Sequence, residues 1–151
     1  MSTIGAPLHP YNIIKQAAFW GVHLGCLLVF ICGFSWIALA VCIALYVIRM
    51  FGITGVYHRY FSHRSYKTSR PFQFILAFLG ATSAQKGPIW WASHHRHHHQ
   101  YSDTEEDIHP PRIYGLWWAH VGWVLSTQFV GTRLELCLLY TSDAADDTPC
   151  V

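Results

Sequence analysis

The stretch that decides the fold is residues 16–48, QAAFWGVHLGCLLVFICGFSWIALAVCIALYVI, where 33 residues pass without one Asp, Glu, Lys or Arg. As a single α-helix it would be about 50 Å long, whereas the hydrocarbon core of a membrane is about 30 Å thick. Gly33, Phe34 and Ser35 offer a break near its middle. We therefore predict two membrane helices, at about residues 13–32 and 35–53, that form a hairpin.

Basic residues near the ends of this stretch predict its orientation. Lys15 precedes the stretch and a run of further basic residues follows it closely: Arg49, Arg59, Arg64, Lys67 and Arg70. Because basic residues favour the cytoplasmic side, both ends of the hairpin are expected there. A single tilted helix would put Lys15 and Arg49 on opposite sides, which the charges disfavour. We expect a multi-pass integral membrane protein with everything from His58 onward in the cytoplasm.

Composition supports a membrane protein. The chain has 151 residues, of which 52% are hydrophobic and only 12% charged, about half the charge of an ordinary soluble domain. Residues 1–102 hold eight Lys/Arg and no acid, whereas residues 103–151 hold all eight acids and two Arg. The bases are too few and too scattered for a nucleic-acid surface, and 16% aromatic residues exclude disorder. Five cysteines without a two-residue gap indicate neither a disulfide framework nor a zinc finger.

Histidine is the unusual residue type, with nine of eleven copies between residues 58 and 120. The first pair, His58 and His63, is five residues apart. On an α-helix this spacing separates two side chains by roughly 140° around the axis and about 7.5 Å along it. Such a pair can hardly chelate one ion on a regular helix, but it could supply ligands to two adjacent ions.

The second group is the run His94-His95-Arg96-His97-His98-His99. Helix positions i, i+3 and i+4 share one face, which suits imidazole ligands of one metal. Two registers satisfy this spacing, His94/His97/His98 and His95/His98/His99, and the spacing alone does not choose between them. The first acid is Asp103, so the pattern indicates an all-imidazole site suited to iron, copper or zinc rather than a carboxylate-bridged one.

An acidic turn follows the second histidine group. Its acids are Asp103, Glu105, Glu106 and Asp107. They could orient the imidazole rings by accepting their N–H groups. A solvated acidic loop is the equally plain alternative, and both interpretations stay open at this point.

Two segments resemble a known family. Residues 55–67, GVYHRYFSHRSYK, and 91–103, WASHHRHHHQYSD, look like the first and second histidine boxes of the integral-membrane fatty-acyl desaturases, in the acyl-CoA Δ9 group. Residues 120–123, HVGW, resemble the segment after the second box. The resemblance covers about residues 10–133. The pattern Trp-x-x-x-His-Arg-x-His-His falls on Trp91, His95, Arg96, His98 and His99, so the resemblance favours the second register.

The resemblance implies a site and a reaction. The metal ligands would be five histidines: His58, His63, His95, His98 and His99. Trp91 would line the substrate tunnel. The reaction would be the O2-dependent introduction of a cis double bond, at Δ9, into a saturated acyl chain at a centre of two non-haem iron ions. A redox metal suits this chemistry, because side-chain acids and bases cannot break an aliphatic C–H bond.

The implied fold and partners follow from the same family. The fold would be all-α, with a membrane helical hairpin followed by part of a cytoplasmic helical cap that bears the histidine boxes. The partners would be a fatty acyl thioester, O2, the lipid bilayer and an electron donor such as ferredoxin, rubredoxin or a cytochrome. Ser126-Thr127-Gln128 stands where animal members carry a basic pair, so the acyl carrier could be coenzyme A, an acyl-carrier protein or a glycerolipid.

Two departures from the family bear on completeness. No histidine follows His120, so the third histidine box is missing and we expect this chain to be an inactive fragment of the enzyme. Residues 136–151, LCLLYTSDAADDTPCV, leave the apolar pattern and resemble translated sequencing-adaptor read-through. We therefore assign residues 1–135 to an incomplete desaturase domain and residues 136–151 to a non-native tail.

Two other functions fit the histidine boxes. A membrane hydroxylase of alkanes or lipids would use the same metal and oxidant, and its products would separate it from a desaturase. A non-enzymatic membrane protein could instead bind zinc through the His-rich segment, and metal analysis would separate it from an iron enzyme. The predicted spans lack the acidic residues that an ion path needs, which disfavours zinc transport.

Overall fold

A computed structural model describes residues 13–137, which contain helices and no β-strand. The helices are α1 (Ile13–Cys26), α2 (Val29–Cys32), α3 (Trp36–Phe51) with a π-helical continuation (Gly52–Ser62), α4 (Arg70–Ala81), α5 (Pro88–Tyr101), α6 (Pro111–Trp117) with a π-helical continuation (Trp118–Gly122), α7 (Trp123–Leu125) and a 3₁₀ turn (Leu134–Leu136). The predicted all-α class is confirmed. Most of the predicted non-native tail, residues 138–151, lies outside the described residues.

The helical backbone is interrupted at the predicted place. Helix α2 ends at Cys32, Gly33 takes a left-handed φ of 77°, and α3 begins at Trp36. Glycine adopts this φ without the steric cost that a Cβ would bring. A further turn at Leu27 and Leu28 divides the first predicted helix into α1 and α2.

The second predicted helix runs further than expected. The sequence places its end near residue 53, whereas the helical backbone continues to Ser62. Two glycines, Gly52 and Gly55, do not end it, because a glycine inside a helix costs only about 1 kcal/mol and packing offsets that cost. The continuation is a π-helix, so its backbone hydrogen bonds span five residues instead of four.

One helix among residues 13–137 is long and apolar enough to cross a membrane. It is Trp36–Ser62, with 27 residues and a mean hydropathy of 2.2 in its most apolar window. Within it, α3 has no buried residue. A helix that is apolar on every face and exposed on every face is typical of a membrane span. Gln16–Cys32 is a shorter apolar helix, and the predicted hairpin and its sidedness stay predictions.

The described residues divide into two compact units, residues 13–36 with 101–131 and residues 37–100 with 132–137. In the second unit, α4 packs against the π-helical continuation of α3. A Cβ on Gly80 would lie 2.1 Å from the ring of Tyr57, and one on Gly52 would lie 3.2 Å from the carbonyl of Leu79. The two backbones can approach this closely only because both residues are glycine. The resulting core buries Val56 and Tyr57 completely.

In the first unit, a buried aspartate organises the acidic turn. The Asp107 carboxylate accepts the backbone N–H groups of Asp103, at 3.1 Å, and of His109, at 3.3 Å. The side chains of Asp103, Glu105 and Glu106 are exposed. These three residues therefore fit the solvated-loop interpretation of the turn.

Candidate metal centre

Four histidines converge in the second unit: His58, His63, His95 and His99. The Nε2 atom of His63 lies 3.2 Å from the Nε2 atoms of both His58 and His95. The Nε2 atom of His95 lies 3.0 Å from that of His99. All four ligand atoms lie within 4.8 Å of one another.

This geometry suits a metal ion better than a hydrogen-bond network. Each ring nitrogen of a neutral imidazole either donates or accepts one hydrogen bond, whereas the Nε2 atoms of His63 and His95 each make two of the three contacts, so the three contacts cannot all be hydrogen bonds. Around an ion with metal–nitrogen bonds of about 2.1 Å, neighbouring ligand atoms lie about 3.0–3.4 Å apart. The three contacts at 3.0–3.2 Å match that spacing. The residues therefore fit a metal held by imidazoles, the ligand type that suits iron, copper or zinc.

The first pair meets because its backbone is π-helical. The backbone N–H of His63 donates to the carbonyl of His58 at 3.1 Å, five residues back. In a π-helix, residues five apart are joined by a backbone hydrogen bond and lie about one turn from each other. On an α-helix, the same two residues lie roughly 140° apart around the axis. The expectation that His58 and His63 could hardly chelate one ion assumed a regular α-helix, and it does not hold for this backbone.

The second pair meets on the ordinary α-helix α5. His95 and His99 are four residues apart, and their Nε2 atoms are 3.0 Å apart. His98, which the resemblance also proposes as a ligand, lies outside the group of four, with its ring centroid 6.3 Å from that of His95. Four of the five predicted ligands are thus brought together.

The other two histidines of α5 lie in its buried surface. His94 and His97 are both buried. The Nδ1 atom of His94 donates to the carbonyl of Trp90 at 2.9 Å, and its ring stacks on the Trp90 ring with 4.2 Å between centroids. Burial lowers the pKa of His94 to about 4. These contacts make His94 a packed, neutral residue, and the structure places neither residue in the group of four.

The surroundings of His95 and His63 favour their neutral form. Burial, together with repulsion from the neighbouring rings of His99 and His58, lowers the pKa of His95 to about 3. Burial and repulsion from His58 also lower the pKa of His63. A depressed pKa means that these imidazoles are deprotonated at neutral pH, which is the form that binds metal.

Trp91 lies directly against the cluster. Its ring stacks on that of His95, with 4.7 Å between centroids and 26° between planes, and it meets the His58 ring edge to face at 6.3 Å. Its indole N–H donates to the Oε1 atom of Gln85 at 3.1 Å. The family resemblance predicts a role for Trp91 but not for Gln85, because nothing in the sequence marks one glutamine in a loop.

An apolar cleft of about 620 Å³ runs along α3 and reaches the loop before α5. The residues that line it are Ala38, Val41, Cys42, Leu45, Tyr46, Arg49, Met50, Ile53, Ser83 and Gln85. Its volume lies in the range of small-molecule sites. Sequence reasoning missed the cleft because its two walls are about thirty residues apart in the chain.

A helical chain with one helix apolar enough to cross a membrane and a group of four histidines able to hold a metal ion is typical of membrane proteins that bind metal through imidazoles. The family within that class follows from comparison: the sequence profile of the fatty acid desaturase family matches residues 34–147. The chain therefore belongs to the fatty acid desaturase family. The match runs into the segment predicted to be a non-native tail, and that prediction stays a prediction.

Several curated relatives are desaturases. An acyl-CoA C20 Delta5-desaturase of Anemone leveillei is 39% identical over 80% of this chain and 37% of its own length. An sn-1 stearoyl-lipid 9-desaturase of Anabaena variabilis is 40% identical over 76% of this chain and 42% of its own length. Delta-9 acyl-lipid desaturase 1 of Arabidopsis thaliana is 38% identical over 83% of this chain and 40% of its own length. The chain thus spans about two fifths of these relatives, and no solved structure matches it significantly.

Proposed function

We propose that the protein containing this chain introduces a cis double bond, at Δ9, into a saturated fatty acyl chain in an O2-dependent reaction. The observation that carries this proposal is the convergence of four imidazole Nε2 atoms, three pairs of them at 3.0–3.2 Å, in a chain of the fatty acid desaturase family. Two non-haem iron ions, when bound, would supply the redox chemistry that acts on O2 and on the C–H bonds.

The ligand set divides between two neighbouring positions. His58, His63, His95 and His99 converge on one point and would hold one ion. His98 lies three residues after His95 and one before His99, so it is less than one turn from both members of the second pair, and we assign it to the adjacent ion. This chain has no third histidine box, so further ligands would come from sequence that the relatives carry and this chain does not match.

The apolar cleft beside α3 is our candidate for the site of the acyl chain. Its lining is largely apolar, which suits a hydrocarbon chain. One contact route joins it to the metal ligands: Gln85 lines the cleft and bonds Trp91, and Trp91 stacks on His95. Trp91 would therefore border both the acyl chain and the metal. A chain fixed in such a cleft presents one methylene pair to the oxidant and keeps water away from it.

The partners and location follow the family. The relatives include acyl-CoA and acyl-lipid desaturases, so coenzyme A and a glycerolipid are both candidate carriers. Ferredoxin, rubredoxin or a cytochrome would deliver electrons. The apolar span Trp36–Ser62 supports an integral membrane protein, and we place the histidine boxes on the cytoplasmic side because basic residues follow the span.

A chimera tests the proposal. Residues 16–131 of this chain would replace the matching segment of the Anabaena sn-1 stearoyl-lipid 9-desaturase. The chimeric protein would be expressed in a host that has no desaturase of its own for this reaction. We expect a monounsaturated acyl chain, with the double bond located by mass spectrometry, and about two iron ions per chain. The same chimera with His95→Asn should make no unsaturated product, because the central ligand is gone.

The controls separate the competing functions. The unmodified Anabaena protein shows that the host supplies electrons, and His94→Asn is the matched variant of a histidine outside the group of four. Hydroxylated products would indicate a hydroxylase. Unchanged lipids from a chimera that is well expressed and iron-loaded, or zinc in place of iron with no dependence on O2, would overturn the desaturase proposal.

A further inference from the structure

The side chain of Arg96, in the second histidine box, hydrogen-bonds to the backbone of the first box. Arg96 follows His95 directly in α5, and its guanidinium donates three hydrogen bonds to backbone carbonyls of other segments. Its Nε atom donates to Ser62 at 3.1 Å, and its two terminal nitrogens donate to Phe61 at 2.7 Å and to Leu136 at 2.8 Å. Phe61 and Ser62 are the two residues before His63, so the arginine next to one ligand holds the backbone next to another.

These carbonyls need donors because they end a helix. The last carbonyls of a helix lack intrahelical partners. The carbonyls of residues 58–60 receive the backbone N–H groups of residues 63–65. The next two carbonyls, those of Phe61 and Ser62, receive the guanidinium of Arg96. Arg96 thus completes the hydrogen bonding at the end of the π-helix, where a positive charge also complements the helix dipole.

The direction of the side chain fits this role. Neighbouring residues on an α-helix point about 100° apart, so His95 turns into the cluster while Arg96 turns to the backbone beside it. The Nε2 atoms of His63 and His95, one from each box, lie 3.2 Å apart. His63 follows Ser62, whose carbonyl accepts from Arg96, and His95 precedes Arg96. A shift of the end of the π-helix would therefore change the His63–His95 distance directly.

We propose that Arg96 is a positioning residue, which holds the first histidine pair in register with the second so that metal affinity depends on its guanidinium. This inference rests on the proposed function only in that the four-histidine group binds metal. The planar guanidinium of Arg96 reaches the carbonyls of Phe61, Ser62 and Leu136 at once. A lysine cannot replace it, because a single ammonium group does not reproduce this planar arrangement of donors.

The test is a titration of the full chain, in detergent or lipid nanodiscs, with Co²⁺ as the probe and its visible absorption bands as the readout. We expect Arg96→Lys to bind Co²⁺ about 10–100-fold more weakly, the range typical of lost support around metal ligands. Its absorption bands should also change, because the ligand geometry changes. Arg59→Lys is the matched control: Arg59 is an exposed arginine beside the ligand His58, and its replacement should leave the affinity within about twofold.

A double-mutant cycle separates positioning from general stability. If Arg96 acts through His63, then Arg96→Lys should lose most of its effect on Co²⁺ affinity in a His63→Ala background. Additive losses would overturn the inference, because a residue that merely stabilises the fold would weaken both backgrounds equally. If Arg96→Lys does not fold, Arg96→Gln, which retains an amide donor, takes its place in the same cycle with the same expectation.

The outcomes also distinguish this inference from the proposed function. If the unmodified chain binds no Co²⁺, the proposal that the four histidines bind metal is overturned, and the role inferred for Arg96 is overturned as well. If the unmodified chain binds Co²⁺ and Arg96→Lys binds it equally well, the inference alone is overturned and the metal centre stands.

Discussion

The two histidine pairs reach the same geometry by different backbones. His58 and His63 are five residues apart on a π-helix, and His95 and His99 are four apart on an α-helix. Their Nε2 atoms are nonetheless 3.2 Å and 3.0 Å apart. The ligand spacing therefore follows the hydrogen-bonding pattern of the helix: i to i+5 in the π-helix and i to i+4 in the α-helix.

The largest effect is expected from the central ligand. His95 has the Nε2 atom that contacts both His63 and His99, so His95→Ala removes the link between the pairs. We expect Co²⁺ affinity to fall by more than about 100-fold, beyond the loss from outer-shell changes. Titration by visible absorption measures it. His94→Ala should keep the affinity, and equal losses in the two variants would contradict the assigned cluster.

Exchanging neighbours in the first box tests the π-helix directly. The double variant Ser62→His, His63→Ser keeps the composition but gives a spacing of four. Ser62 is buried and its hydroxyl donates to the Tyr57 carbonyl at 2.8 Å, so a histidine there would point away from the cluster. We expect Co²⁺ affinity at least about tenfold lower. An affinity equal to that of the unmodified chain would mean that this segment is α-helical.

The converse exchange tests the second box. The double variant His99→Gln, Gln100→His gives α5 the spacing of five, which diverges by roughly 140° on an α-helix. Gln100 is exposed, so the fold should tolerate the exchange while Co²⁺ affinity falls about tenfold or more. Circular dichroism should show unchanged helicity. Tight Co²⁺ binding by this variant would contradict the conclusion that the second pair needs a spacing of four residues.

Gly80 allows α4 to pack closely against Tyr57, the residue before His58. An alanine Cβ there would lie 2.1 Å from the Tyr57 ring, and Tyr57 precedes His58. We expect Gly80→Ala to lower the free energy of unfolding by roughly 1–3 kcal/mol, measured by denaturation in detergent. The matched control is Gly21→Ala in α1, where the added Cβ meets nothing within 4 Å and stability should be unchanged or slightly higher. Equal behaviour of the two variants would contradict the close packing of α4.

The pH dependence of stability provides a further test. The pKa of His95 is about 3 in the folded chain and about 6.5 in an unfolded chain. Between these values only the unfolded chain takes up the proton, so the metal-free protein should lose stability as the pH falls from about 6.5 toward 3. Unfolding in the presence of a chelator measures this slope. His95→Asn should flatten it, and an unchanged slope would contradict the depressed pKa.

The sequence by itself determined the class of fold and the ligand type. An uncharged run of 33 residues with Gly33 inside it dictates apolar helices and a break, because hydrocarbon excludes charge and glycine permits a left-handed φ. The clustered histidines and the absence of acids before Asp103 dictate an imidazole site. These are local properties, readable from composition and spacing.

Only the tertiary structure decided which imidazoles meet. The π-helix after α3 has no sequence signal, because it depends on Tyr57 packing against Gly80 and on Arg96 completing the carbonyls of Phe61 and Ser62. These partners are more than twenty residues away in the chain. The same holds for Gln85, which is significant only beside Trp91. Helix type at a metal site is set by long-range contacts, and spacing rules drawn from the α-helix alone cannot foresee it.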